Sequence, residues 1–401
     1  MSVSTRNEFV NSLLRKPINE RLSGFKAFTV GHPQLIKVYE ELLCAIRDSN
    51  PGSIIFIYGP PGVGKTTLLE RIEKQLTEMT LAEMHKDAER IPAVKVQLGT
   101  PTYGNFDWKS FFKDLLIAME EPLVDHKIDM ENFEHPYSKF TVNGRNNMQL
   151  ISNDKLGIRP MRFASEQTLK HRRPLAVLID DAQHFGIISS GRKLLDQLNT
   201  IKSLADKSEV THVLCGTYEL IPLRNLNGQL SRRSIYINFG RYDAEDEGQR
   251  EEFINVLYTF QQNLPLLKTP DLVARWDYFY ERTIGCIGVL KDWLYRSLSL
   301  ALKSNRPTLP FEFLEQRALS VSQCTNMMRE IIAGEKELEE SKEERLLLRK
   351  SLGLSDEHIE VGDDNSVPND SKYPATIKTN GRRRRVGARN PIRDKVGVKV
   401  G

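Results

Sequence analysis

The apolar positions of this chain change period several times, and each change marks an element. Between 34 and 49, "QLIKVYEELLCAIRDS" sets Leu35, Ile36, Val38, Leu42, Leu43 and Ile46 at helical spacing, and Asn50-Pro51-Gly52 ends the run. Residues 53–58, "SIIFIY", form a continuous apolar, β-branched stretch, the pattern of a strand buried on both faces of a parallel sheet. "AVKVQL" (93–98), "PLAVLID" (174–180), "VTHVLCGT" (210–217) and "SIYINFG" (234–240) read as further strands. Helical patterns separate them: "TTLLERIEKQLTEM" (66–79), "FDWKSFFKDLLIAME" (106–120) and "GRKLLDQLNTIKSLADKS" (191–208). Strands alternating with helices predict an α/β fold, a parallel sheet flanked by helices.

The rest of the chain lacks that alternation. Residues 1–25 are polar with scattered apolar positions and read as an N-terminal arm. Residues 121–160 show no period and read as an insertion or long loop. The α/β core is therefore expected over 26–243 and a small all-α lid over 244–322. A charged helix is expected over 323–352, and a mostly disordered basic tail over 353–401.

Composition refines this picture in three ways. The chain has 401 residues, enough for two or three domains, and no apolar run long enough for a membrane helix. Its N-terminus lacks the uninterrupted apolar core of a signal peptide, so a bacterial cytosolic location is expected, with no membrane partner. Cys44, Cys215, Cys286 and Cys324 are far apart and make no CxxC pair, which excludes a zinc ribbon and fits reduced thiols. The net charge of +4 is unevenly spread: residues 371–401 carry about +9 and the remainder about −5. Any nucleic-acid contact by the folded part must then come from a local patch. The arginine block "GRRRRVGAR" (381–389) suits nonspecific DNA or an acidic partner surface.

The chemistry concentrates at strand ends. "GPPGVGKT" (59–66) matches G-x-x-x-x-G-K-[ST] and lies between a strand and a helix, the context that motif needs. Its glycines let the backbone wrap phosphates, and the helix N-terminus adds donors and positive potential. Pro61, Gly62, Val63, Gly64, Lys65, Thr66 and Thr67 are the candidate ATP-binding set. Lys65 is assigned to the β- and γ-phosphates, and the Thr66 hydroxyl to Mg²⁺. "LIDDAQHFG" (178–186) ends an apolar strand in two acids. Asp180 is the second candidate Mg²⁺ ligand and Asp181 the water-polarising base. An aspartate there is one methylene shorter than a glutamate, which withdraws the carboxylate by about 1.5 Å. Misplacement on that scale can cost on the order of 10²-fold in rate. Slow intrinsic hydrolysis with intact ATP binding is therefore expected, and Asp181→Glu should speed turnover.

Three further positions extend the site. Thr217 ends a strand at "CGT" (215–217), where its hydroxyl can reach the γ-phosphate or attacking water. Arg232 and Arg233 precede the next strand, and an arginine there can stabilise transition-state charge at a neighbouring subunit's nucleotide. An ordinary surface arginine pair has the same sequence. Lys291 lies on the helix entered through "TIGCIGVLKDWL" (283–294) and can point back at the phosphates; a solvated helix lysine reads identically.

In order along the chain these are a phosphate loop, an acidic strand, a polar sensor, an arginine finger and a helical lid, which resembles an AAA+ ATPase. Within that class "FKAFTVGHPQL", "IDDAQH", "LLDQLNTIKSLAD", "THVLCGTYELIPLRNLNGQLSRRS" and "IGCIGVLKDWL" resemble the TnsC/TniB-type regulators of Tn-seven-like and CRISPR-associated transposons, over roughly residues 25–300. The resemblance implies ATP-dependent binding to double-stranded DNA and self-assembly into a ring or helical filament with a hexamer- or heptamer-like turn. It also implies a link between a TniQ-like target-selection protein and the transposase, with hydrolysis driving disassembly. It places Val30, Gly31 and His32 near the adenine, and the arginine finger in trans. Lys109 and Lys113, four apart on one helix face, are the candidate DNA-phosphate contacts, although a solvated amphipathic face gives the same pattern. The alternative within the class is a replication initiator or helicase loader, and outside it a signalling NTPase switch that never touches DNA.

Overall fold

A computed structural model describes residues 3–100, 106–121, 157–186, 191–225, 234–339 and 341–354. The described residues up to 339 belong to one compact unit, and residues 341–354 to a second. Five strands build the sheet of the first unit: β1 (Ile54–Tyr58), β2 (Ala93–Gln97), β3 (Ala176–Asp180), β4 (Thr211–Gly216) and β5 (Ser234–Asn238). Their order is β2-β3-β4-β1-β5, and every pairing is parallel. β1, β3 and β4 are buried at every position, which is why their sequences show no polar alternation. β2 is an edge strand and does alternate, with Val94 and Val96 turned inward.

Successive side chains on each strand feed opposite layers. Ile55 and Ile57 join Leu42 of α3 (Pro33–Asp48) and Leu68, Leu69 and Ile72 of α4 (Lys65–Met84). Phe56 and Tyr58 face the other side. There α5 (Trp108–Ala118), α6 (Ile158–Arg172) and α7 (Gly191–Ser208) pack, with Phe111, Phe112, Leu115 and Leu169 buried. A third core belongs to the lid: α9 (Glu247–Asn263), α10 (Trp276–Thr283), α11 (Ile287–Lys303) and α12 (Phe311–Arg317), with the short α8 (Ile221–Asn225) preceding β5. Phe253, Phe260 and Trp293 fill that core, and Trp293 Nε1 donates to Leu314 O at 2.8 Å.

The structure departs from the sequence expectations in three places. The stretch read as an arm holds two helices, α1 (Val3–Leu14) and α2 (Ile18–Ala27). Leu22 and Phe25 of α2, three apart and so on one face, are buried in the lid core, and the Arg21 guanidinium bonds Pro265 O. Helix α6 escaped notice because much of its buried face is polar: Ser165, Glu166 and Thr168 accompany Met161 and Leu169. Glu166 is neutralised by Arg162 at 2.9 Å and Lys207 at 3.1 Å. The expected single charged helix is two, α13 (Val321–Leu338) and α14 (Lys342–Ser351). Glu339 is extended between them, and Ser341 starts the second by accepting from Glu344 N. Residues 122–156 of the expected insertion and 355–401 of the expected tail lie outside the described residues. No described helix is long and apolar enough to cross a membrane.

Candidate functional site

The phosphate loop connects β1 to α4 at the carboxyl edge of the sheet. Gly62 and Gly64 have φ of 75° and 118°, values that exclude nearly all side chains. A Cβ at Gly59 would lie 2.0 Å from Phe239 O, so the loop can leave β1 only with glycine there. Lys65 Nζ donates to Gly59 O at 2.9 Å and Pro60 O at 2.8 Å. Burial pulls its pKa below the usual lysine range. The ammonium thus sits over the loop it must serve, held by carbonyls that phosphate oxygens can replace.

Opposite the loop, Thr66 Oγ1 donates to Asp180 Oδ2 at 2.8 Å, while Asp181 N donates to Asp180 Oδ1 at 3.0 Å. Asp180 is buried, at 2% exposure. Asp181 has φ of 55°, the left-handed region that aspartate tolerates better than most residues, and a 3₁₀ turn (Ala182–Phe185) follows it. Its Oδ2 accepts from Gln97 Nε2 at 2.9 Å and its Oδ1 from Gln183 Nε2 at 3.1 Å. Thr217 follows β4, whose Gly216 pairs with Tyr58, so it stands at the same carboxyl edge of the sheet as the loop. Its hydroxyl is buried with no partner among the described residues.

The lid meets this edge directly. Val289 N donates to Gly62 O at 3.2 Å, and a Cβ at Gly288 would come within 2.4 Å of the same oxygen. Lys291, half-buried just beyond on α11, has its pKa lowered chiefly by burial, with Asp292, Glu70, Arg71 and Lys26 around it. Val30 packs against the lid core, and a Cβ on Gly31 would contact Arg71. The His32 ring stacks on Phe239, which in turn borders Gly64, so His32 lies one ring from the loop. Rather than presenting an open edge, His32 is 4% exposed. Its Nδ1 lies 2.9 Å from the Tyr242 hydroxyl and accepts from Leu35 N at 3.4 Å, capping α3.

Burial lowers the pKa of His32 to about 4, with Arg71 adding to the effect; burial alone takes His212 of β4 to about 4 as well. Both histidines are neutral in the fold, while the unfolded chain protonates them below about pH 6.5. Stability is therefore unaffected by these groups above that pH and is lost as pH falls from 6.5 toward 4. The unfolding free energy measured in urea should drop between pH 7 and pH 5, by about 2 kcal/mol per histidine. A flat profile over that range would contradict the burial of neutral rings.

One wall of the site comes from α13. A cavity of about 380 Å³ is bounded by Pro61 and Thr217 on one side and Glu330, Gly334 and Glu337 on the other. Gly334 rests on Tyr218, where a Cβ would lie 2.3 Å from the ring. Arg241 forks onto Glu335 at 3.1 and 3.3 Å and reaches the Tyr280 hydroxyl at 2.9 Å, joining α13 to the end of the sheet and to the lid.

The structure thus gathers the loop residues, Thr67 on the first turn of α4, Asp180, Asp181 and Thr217 around one edge, whereas the charged neighbours of Lys291 are Asp292, Glu70, Arg71 and Lys26. Arg232 and Arg233 lie outside the described residues. Lys109 and Lys113 share a face of α5, and each has an acid close by, Asp107 at the cap and Asp114 next in the chain to Lys113. Sequence reasoning missed Gln97, Gln183 and the α13 wall. The register that sets Gln97 opposite Asp180 could not be read from either strand alone.

Residues 48–223 match the family described as an AAA domain. The chain has the AAA+ P-loop fold. A curated ATP-binding protein of Methanocaldococcus jannaschii is 29% identical over 196 residues, which cover 46% of this chain and 52% of that protein. The chain therefore spans about half the length of this relative. The ADP form of the Aeropyrum pernix ORC2 protein aligns at 12% identity with a TM-score of 0.47, covering 73% of this chain and 70% of that one. The Aeropyrum pernix ORC1 protein in complex with DNA aligns at 14% identity with a TM-score of 0.44, covering 71% and 63%. An AAA+ P-loop of this kind binds a nucleotide.

Proposed function

We propose that this AAA+ protein hydrolyses ATP, assembles on double-stranded DNA in its ATP state and regulates DNA transposition. The observation that carries the enzymatic part is the Thr66–Asp180 contact of 2.8 Å beside Lys65, with Asp181 and the buried Thr217 hydroxyl, which has no partner among the described residues, next to it. Mg²⁺ fits this set, because a threonine hydroxyl and a carboxylate are hard oxygen donors. When bound it neutralises phosphate charge. Thr66 and Asp180 hold it, and Lys65 exchanges its two loop carbonyls for phosphate oxygens. Asp181 accepts the proton of the attacking water, and Thr217 orients that water or the γ-phosphate. Lys291 reports phosphate to the lid through α11, and Val30, Gly31 and His32 border the adenine. Arg232 or Arg233 of a neighbouring copy completes the site.

The DNA and transposition parts are supported by the resemblance of "GTYEL" and "LSRRS" and their surroundings to TnsC/TniB-type regulators. Lys109 and Lys113 contact DNA phosphates in this reading, and the partners are a transposase and a TniQ-like target-selection protein in the bacterial cytosol. Retention of duplex DNA on filters tests it. Retention should rise at least about tenfold with a slowly hydrolysed ATP analogue over ADP and fall steeply with salt. Equal retention with both nucleotides would remove the DNA-assembly reading and leave the ATPase one.

A further inference from the structure

We propose that Gln183 is a positioning residue for catalysis, which fixes the Asp181 carboxylate by tying it to the strand that ends at Thr217. The inference rests on the reading of Asp181 as the water-activating base.

The side-chain amide of Gln183 faces two ways. Its Nε2 donates to Asp181 Oδ1 at 3.1 Å, and its Oε1 accepts from Thr217 N at 3.3 Å. One rigid, planar group therefore spans the end of β3 and the end of β4. The distance between the Asp181 carboxylate and the Thr217 backbone is set by the width of an amide. No other residue type does this at the same length. Glutamate keeps the acceptor for Thr217 but has no donor for Asp181 and sets a second carboxylate against it. Asparagine is one methylene short, and methionine has the length without the polar atoms.

The backbone around this amide is arranged to accept it. A Cβ on Gly216 would lie 2.5 Å from Gln183 Oε1 and 2.9 Å from Gln183 N, so the close approach of β4 to the turn requires glycine at 216. Asp181 itself holds φ of 55°, which turns the chain so that Gln183, two residues on, comes back over its carboxylate. Gln97 grips the other carboxylate oxygen at 2.9 Å, but from the edge strand and at an exposed position. The Gln183 contact is the partly buried one, and it alone reaches the sensor strand.

This arrangement answers the question raised by the short acid. An aspartate cannot find its working position by reach, so a neighbour must define that position. Displacement by about 1 Å is enough to cost on the order of 10²-fold. Loss of Gln183 should therefore reduce the rate of the chemical step and spare ATP binding, which depends on Lys65, Thr66 and the loop backbone.

The test is single-turnover ATP hydrolysis by the full chain with magnesium, beside the affinity for a fluorescent ATP analogue. Gln183→Met should lower the hydrolysis rate by about 10²-fold, with affinity within about twofold of the parent. Gln183→Glu, which keeps the shape and the Thr217 bond, should fall comparably and guards against a simple folding defect. In an Asp181→Asn background, Gln183→Met should change the residual rate by less than about twofold, because a residue acting through Asp181 has nothing left to position. The proposal is overturned if both Gln183 variants hydrolyse ATP within about twofold of the parent. It is equally overturned if Gln183→Met lowers the Asp181→Asn rate by the factor it shows alone. A parent that binds the analogue and never hydrolyses ATP would instead sink the ATPase reading itself.

Discussion

Asp181→Asn is expected to lower single-turnover ATP hydrolysis by at least about 10²-fold while leaving nucleotide affinity nearly unchanged. General-base catalysis by a positioned carboxylate contributes about 10²–10⁴-fold, and the amide cannot take a proton at neutral pH. The substitution also disturbs the local bonding. Both Asp181 oxygens accept from glutamine amides, Gln97 and Gln183, and an asparagine offers only one oxygen. One of the two contacts is lost, so part of the fall comes from misplacement. Binding survives because the Thr66–Asp180 pair and Lys65 are untouched. Parent-like hydrolysis by Asp181→Asn would assign the base to another residue.

Gly334→Leu is expected to release α13 from the nucleotide edge. The first atom of any side chain at 334 falls 2.3 Å from the Tyr218 ring, and the nearest atoms include the ring root and Cβ, which cannot swing aside. Tyr218 is itself 8% exposed and packs near Tyr58. Glycine costs about 1 kcal/mol of helix propensity relative to alanine, so leucine gains something locally. Overpacking typically costs about 1–3 kcal/mol, sometimes more, and a whole leucine against an immobile ring belongs at the upper end. The clash wins. Amide hydrogen exchange over 321–338 should accelerate by about 10²-fold, while β1, β3 and β4 stay protected. Unchanged protection of α13 would mean that its docking tolerates a side chain, contrary to the observed contact.

Much of the fold was legible because the sheet is buried on both sides. Continuous apolar runs with turn signals between them admit little else, and all five expected strands are present. The loop and the two acids were legible for a related reason: a fixed spacing after a strand end dictates where those side chains emerge. What was hidden depended on contacts distant in sequence. Leu22 and Phe25 read as isolated apolar residues until the lid core receives them. The polar inner face of α6 makes sense only once Lys207 of α7 reaches Glu166. Gln97 and Gln183 carry no sequence signal of their own, since their role appears when β2 and β4 flank the acidic strand. Helix α13 could be seen as a helix but not as part of the site, because its one informative residue, Gly334, looks like a helix defect until Tyr218 is placed beneath it.

The bond between His32 and Tyr242 has a mechanical meaning. The lid, with α1 and α2 packed on it, is joined to the sheet by several stretches of chain, of which one runs before α3 and another after β5. His32 lies on the first and Tyr242 on the second, and their 2.9 Å contact pins the two crossings together like the knuckle of a hinge. The Gly62–Val289 bond is a separate attachment, on the phosphate loop. A shift of that loop would therefore pull on a body held at His32 and Tyr242, and α1 and α2 are packed on that body.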